Sequence, residues 1–167
     1  MNKEQYLKLI DKFKPEEIEW RIGMSGLKGD GRPYAMALAY LDARAIMDRL
    51  DNVVGASGWQ DSYTVSGNGV VCTLSIKIGD EWVSKSDGAQ FTDVESFKGG
   101  MSGAFKRAAV KWGMGRYLYD LKDMWVQVAP ASDKKARKQY CTDKKTDKRY
   151  MLYWHPPKLP EWAMPRV

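Results

Sequence analysis

The segment WQDSYTVSGNGVVCTLSIKIGDEWVSKSDG, Trp59 to Gly88, constrains the fold more than any other part of the chain. Gly67-Asn68-Gly69 and Gly79-Asp80 are tight-turn signals set one strand length apart, and the residues between them are rich in β-formers. Two-residue turns join only antiparallel neighbours, because a parallel pair needs a crossover of a dozen or more residues. The stretch therefore reads as a meander of three antiparallel strands.

Other elements follow from periodicity. Tyr6, Leu7, Leu9, Ile10 and Phe13 suggest a short amphipathic helix ending before Pro15. EIEWRIG reads as a strand, since Ile18, Trp20 and Ile22 alternate with polar residues. MSGLKGDGRP is a glycine-rich turn carrying Lys28 and Arg32, and YAMALAY reads as the partner strand, with helix left open by its alanines. LDARAIMDRLDNVVG is a helix whose Ile46, Met47, Leu50, Val53 and Val54 share one face, with Gly55 as a left-handed cap. MWVQV is a short strand candidate. Beyond it, APASDKKARKQYCTDKKTDKRY is lysine-rich and polar, the composition of a flexible extension. The expected organisation is a core over residues 1–129 and a basic, proline-containing tail over 130–167, in which Leu159, Trp162 and Met164 of LPEWAMP are apolar enough to dock on the core or on a partner.

KGGMSGAFKRAAVKWGMGR, Lys98 to Arg116, has the glycines of a phosphate loop but not its spacing. A G-x-x-x-x-G-K-[ST] loop starting at Gly99 would need glycine at position 104, which is Ala104, and no Ser or Thr follows Lys106. The stretch reads as a helix instead. At about 100° per residue, Phe97, Met101, Ala104, Phe105, Ala108 and Trp112 cluster on one side. Lys106 projects nearly opposite, with Lys98, Arg107 and Lys111 on the flanks. Gly99, Gly100 and Gly103 each weaken an isolated helix by roughly 1 kcal/mol, so packing has to hold it, and they let another backbone or a nucleic-acid strand come close.

Catalysis finds little support. The single His155 sits beside Pro156-Pro157, against a histidine-based triad. Cys72, Cys141 and His155 lack metal-ligand spacing, so free thiols in a reducing compartment are the better reading. Asp42, Asp48 and Asp51 read as solvated helix acids, and Asp120 and Asp123 as capping or surface groups rather than metal ligands. No cofactor is indicated. The N-terminal MNKEQYLKLIDKF lacks the apolar core of a signal peptide, and no apolar run approaches a membrane span, so a cytoplasmic protein is expected. The net charge of +6 favours an anionic partner. Lys106-Arg107, with Lys98, Lys111 and Arg116 around them, offer phosphate contacts, and Tyr34, Tyr40, Tyr117 and Tyr119 offer stacking faces. The same pattern equally fits a solvated face with buried tyrosines.

The helix–meander–helix order with DARAIMDRLDNVVGASGW, KGGMSGAFKRAAVKWGMGRYLYDL and terminal LPEWAMP resembles the Rad-fifty-two family of single-strand annealing proteins. The likeness is greatest to the branch holding the bacterial DNA-damage-response protein A and short phage annealing proteins, and it runs from about Glu16 to Val128 plus the last residues. It implies an α+β fold with an antiparallel β-β-β-α core, assembling into homo-oligomeric rings with single-stranded DNA in a basic groove. The family's paired basic residues fall on Lys106 and Arg107, and a groove arginine falls on Arg21. Tyr40, nineteen residues before Trp59, fits a groove aromatic. A further arginine of eukaryotic members is Val110 here, with Lys111 a substitute. Arg21 as an outward strand residue, Tyr40 as a core residue and Arg116 as a cap on the helix's last carbonyls are the alternative readings. Lys28 and Arg32 are weaker members of the set.

The expected function is therefore non-enzymatic: binding single-stranded DNA and annealing complementary strands without ATP, in recombination and repair of damaged DNA, in a bacterial or phage-infected cell. The alternatives are protection of DNA 3′ ends, a Mg²⁺-dependent nuclease using Asp120 or Asp123, and an adaptor whose tail recruits a replication or recombination protein.

Overall fold

The computed structural model describes residues 1–91 and 96–165. In chain order the elements are helix α1 (Lys3–Ile10), strands β1 (Ile18–Leu27) and β2 (Pro33–Leu41), helix α2 (Ala43–Val54), strands β3 (Trp59–Ser66), β4 (Gly69–Ile78) and β5 (Glu81–Gln90), helix α3 (Ser96–Lys111), and strands β6 (Gln127–Val128), β7 (Arg137–Thr142) and β8 (Arg149–His155). Short 3-10 turns lie at Pro15–Glu17, Arg116–Asp120 and Glu161–Ala163. The class is mixed α+β with antiparallel sheets, as expected. The chain divides into two compact units, Met1–Ile18 with Leu41–Tyr117 and Ala163–Val167, and Glu19–Tyr40 with Leu118–Trp162.

The first unit is built on the β3-β4-β5 meander. Ser66 lies opposite Gly69 and Ile78 opposite Glu81, so both loops hold two residues. Gly67 and Gly79 sit at φ +56° and +61°, as the primed turns of such hairpins require. On the central strand β4, Val70, Cys72, Leu74 and Ile76 are buried on one face. The other face is polar: Thr73 shares a 2.8 Å hydroxyl hydrogen bond with Ser86, and Ser75 shares one of the same length with Ser84. Helix α3 covers the apolar face through Ala104, Phe105 and Ala108, and just past its end the Trp112 indole N–H donates to the Leu74 carbonyl at 3.1 Å.

Helices α1 and α2 add Leu9, Ile46 and Leu50 to this core. Asn2 and Gln5 form a reciprocal capping box that starts α1. The Arg49 guanidinium lies 4.0 Å from the Phe13 ring centroid and donates to the Lys8 and Asp11 carbonyls, which closes the helix's other end. Asp42, read as a solvated acid, instead caps α2 by accepting from the Arg44 N–H, and Asp51 accepts from the Trp59 indole at 2.7 Å. Gly55 ends α2 at φ +80° and ψ 156°, a positive-φ conformation that favours glycine but lies outside the left-handed helical region.

The second unit corrects the reading of a flexible tail from residue 130. β1 and β2 pair, and Met124–Val126 runs beside β2 through the Ala37 N–H to the Met124 carbonyl (2.9 Å) and the Val126 N–H to the Ala35 carbonyl (3.1 Å). β6 continues that segment onto β8, and β7 pairs with β8 from Arg137↔Trp154 to Thr142↔Arg149. The lysine-rich stretch is thus a β-hairpin. Its inner side chains Cys141, Leu152 and Trp154 are buried at period two, and Arg137 donates to the Trp20 carbonyl while lying over the Trp154 ring at 5.4 Å. At its turn, the buried Asp143 accepts from the Thr146 hydroxyl (2.6 Å), the Thr146 N–H (3.1 Å) and the Leu27 N–H (3.1 Å). In LPEWAMP, Ala163 is buried while Trp162 and Met164 are exposed; residues 166 and 167 lie outside the described set.

Candidate nucleic-acid interface

Five of the sequence-selected cations belong to α3 and the turn after it. The helix runs along β5 in register: a Cβ on Gly103 would stand 3.1 Å from the Ala89 Cβ, Arg107 Nε reaches Asp87 Oδ1 at 3.2 Å, and Lys85 Nζ donates to the Lys111 carbonyl at 3.0 Å. Four helical residues advance about 6 Å and two strand residues about 7 Å, so positions 103, 107 and 111 stay in step with 89, 87 and 85. Gly103, one of the glycines expected to admit a foreign strand, is therefore used by the chain's own sheet, whereas Gly99 is exposed. A Cβ on Gly100 would likewise stand 2.8 Å from the Phe91 ring and 3.4 Å from a Val70 methyl.

This register changes the reading of individual side chains. Arg107, placed on a flank of the helix, leans over β5 to Asp87, with its side chain 54% exposed and that of Asp87 24% exposed. Lys106 is half-buried, while Lys98 and Lys111 are exposed. Arg116 acts as the cap that was the alternative reading, its Nε donating to the Val110 carbonyl at 3.0 Å and its Nη2 to that of Lys111 at 2.9 Å. Phe97, assigned to the packed side, is 58% exposed and stacks on Phe91 with ring centroids 6.0 Å apart. The sheet beneath α3 ends short of that first turn.

The remaining selected residues lie in the second unit. Arg21 is an exposed outward residue of β1, and Tyr40 is half-buried near the end of β2. Lys28 and Arg32 are brought together by the β1–β2 turn, where the Lys28 N–H donates to the Arg32 carbonyl at 2.9 Å. Arg32 is held by Asp30 through Nε and Nη2, each 2.7 Å from Oδ2. That hydrogen-bonded pairing lowers the Asp30 carboxyl below its ordinary range and raises the Arg32 guanidinium. Lys28 lines an open cavity of about 530 Å³ with Tyr34, Ala35, Trp125 and Val128. Tyr34 meets Trp125 at 6.2 Å, and Gly26 leaves room for its ring.

Of the other aromatic candidates, Tyr119 is exposed, whereas the Tyr117 hydroxyl accepts from the Phe13 N–H at 2.9 Å and burial raises its pKa. Asp120 and Asp123 line a second cavity of about 460 Å³ with Lys122, Trp125, Lys158 and Trp162. Among the described residues, no three His, Cys, Asp or Glu side chains are grouped to hold a metal ion together. Burial pushes the Cys72 thiol up to about 11. His155, beyond the triad question, pairs with Asp133 at 2.8 Å. No helix among the described residues is long and apolar enough to cross a membrane.

Sequence reasoning missed Lys85, which lies 4.5 Å from the Trp112 ring centroid and supplements the C-terminal cap of α3. It also missed Asp87 as the partner of Arg107. Neither carried a local signal, because the helix residue each one meets stands twenty or more positions further along the chain.

An antiparallel meander covered by a glycine-containing basic helix is the arrangement to which the sequence comparisons attach. Residues 2–140 match the family described as Rad52/22 family double-strand break repair protein, and the chain belongs to that family. It is similar to two proteins named single-stranded DNA-binding protein DdrA: 32% identical over 155 residues in Deinococcus deserti and 33% identical over 155 residues in Deinococcus radiodurans. Each alignment covers 92% of this chain but 66% and 64% of those relatives, so the chain spans just under two thirds of their length.

Proposed function

We propose that the protein binds single-stranded DNA and anneals complementary strands without nucleotide hydrolysis, in the repair and recombination of DNA. The observation that carries this reading is α3 itself. It is anchored on the sheet by Phe105, Ala108 and Trp112 and carries Lys98, Lys106, Arg107 and Lys111 along its length, in a chain of the Rad52/22 family with relatives named for single-stranded DNA binding.

In this reading the α3 cations hold phosphates and leave base edges open to test pairing, so affinity is sequence-independent and pairing supplies specificity. Arg107 is shared between Asp87 and phosphate, a half-exposed pair that an incoming anion can displace because such pairs are worth about 0–1 kcal/mol. Arg116 braces the helix end and keeps further guanidinium N–H groups for phosphate. Arg21, Tyr40, Lys28 and Arg32 are proposed contacts of the second unit. The assembly proposed is a closed homo-oligomeric ring, in which repeated heterologous contacts carry the DNA path from subunit to subunit. The proposed location is the cytoplasm, and the exposed Trp162 and Met164 are a proposed contact for a replication or recombination protein.

The test is annealing of complementary oligonucleotides without ATP, by wild type and by the K106A/R107A variant, with arms for 3′-end protection and for release of nucleotides. Annealing by wild type that falls with affinity in the variant is expected. Protection without annealing would replace the annealing function, and metal-dependent nucleotide release would replace the non-enzymatic one. A folded K106A/R107A variant that binds and anneals like wild type would remove α3 from the DNA path.

A further inference from the structure

The hairpin β7–β8 has two unlike faces. Cys141, Leu152 and Trp154 are buried on one. Cross-strand pairs Lys138↔Tyr153, Tyr140↔Met151 and Thr142↔Arg149 place the alternate residues together on the other. There Tyr140 is 80% exposed, the highest value among the exposed large apolar side chains of the described residues, and Lys138 and Arg149 are exposed as well. The turn adds Lys144, Lys145 and Lys148, all exposed, whereas Asp143 is buried with its carboxylate occupied by Thr146 and Leu27. From Arg137 to His155 there are six lysines and arginines against two aspartates, a net +4 in a chain of net +6.

Edge protection accounts for part of this. β7 is the edge of its sheet, and lysines on an edge strand discourage pairing with other chains. It does not account for an aromatic ring left in water between them. An exposed ring flanked by cations on one face of a sheet is the composition that holds unpaired bases: the ring stacks on any base, and the cations follow the backbone.

We infer that the outer face of β7–β8 is a second single-stranded-DNA contact, with Tyr140 as the stacking platform, Tyr153 beside it, and Lys138, Arg149 and the turn lysines on phosphates. The inference rests on the proposed single-stranded-DNA function but uses none of the α3 cations. The strand passes over the face as a chain of stacked bases, held without sequence preference.

The experiment measures binding of wild type, Y140A, Y140F, K138A/R149A and K106A/R107A to a thymidine oligomer and to an abasic oligomer of equal length, over a series of salt concentrations. All hairpin substitutions are at exposed positions, and unchanged circular dichroism and thermal midpoints establish that they fold. Expected are a loss of about tenfold for Y140A on the thymidine oligomer, near-wild-type binding by Y140F, and no effect of Y140A on the abasic oligomer. K138A/R149A should flatten the salt slope by roughly 0.7 for each phosphate that the variant no longer neutralises. If the folded hairpin variants bind like wild type while K106A/R107A is impaired, the second contact is overturned and the α3 reading stands. If the hairpin variants are impaired and K106A/R107A is not, the second contact stands and the α3 reading falls. Wild type that binds neither oligomer overturns both.

Discussion

Replacing Asp87 with asparagine should strengthen DNA binding, although the substitution adds no cation and Asp87 is itself assigned no contact with DNA. Arg107 Nε stands 3.2 Å from Asp87 Oδ1, with the two side chains 54% and 24% exposed. A pair this accessible is worth about 0–1 kcal/mol, and a phosphate has to displace it before Arg107 is fully available. Asparagine keeps an oxygen for the Gly88 N–H that Asp87 accepts at 2.7 Å, so local structure is retained while the competing charge goes. Releasing Arg107 then gains about 0.5–1 kcal/mol, about two- to fivefold in affinity. R107A should do the reverse, flattening the salt slope by roughly 0.7 because one phosphate of the single strand goes without its cation. The assay is fluorescence anisotropy of a labelled thymidine oligomer with D87N, R107A and the double variant at several salt concentrations. The cycle separates two explanations, since removing a negative charge raises affinity at long range as well. A gain from D87N that persists undiminished in the R107A background would refute the release of Arg107, as would a D87N protein that binds more weakly than wild type.

Gly113 sits at φ +100°, and a Cβ there would stand 2.6 Å from an Ile10 methyl. G113A should therefore destabilise the protein by about 2 kcal/mol from backbone strain and overlap together; an unchanged denaturant midpoint would contradict this. The Asp143 carboxyl is held below its ordinary value, first by the Thr146 hydroxyl and then by the Leu27 N–H, and Asp133 is lowered chiefly by its hydrogen bond to His155. Since both folded-state values lie below the unfolded ones, their stabilisation is complete above the ordinary carboxylate range and is lost as pH falls through the depressed values. Thermal melts from neutral to acid pH should show that loss, and D143N should show a smaller one. Equal acid sensitivity in D143N and wild type would show that Asp143 contributes nothing to it.

Local chemistry was legible residue by residue. The β3–β4 and β4–β5 turns were readable because a two-residue hairpin demands residues that accept positive φ, and Gly67 and Gly79 supply them in place. α2 was readable from its apolar face, as was the buried row Ala104, Phe105 and Ala108 of α3 with Trp112 just beyond it. The candidate cations were visible too, as residues, but not in their roles. Arg107 turns to Asp87, twenty residues earlier in the chain, only because α3 lies in register along β5. Phe97 belongs to the apolar stripe by angle and is exposed by position, since periodicity tells which face is apolar and not how far the sheet beneath it extends. The β7–β8 hairpin was hidden for a related reason. Lysines on its outer face and turn dominate the composition, while the alternation of Leu152 and Trp154 that signals a strand is only two residues deep. What orders that hairpin is contact with distant chain, Arg137 with the Trp20 carbonyl and Asp143 with the Leu27 N–H, more than a hundred residues away in each case. Helix periods and turn residues act between near neighbours and are written in the sequence itself; strand pairing and charge pairing are chosen among distant partners, and the folded chain makes that choice by bringing them within reach.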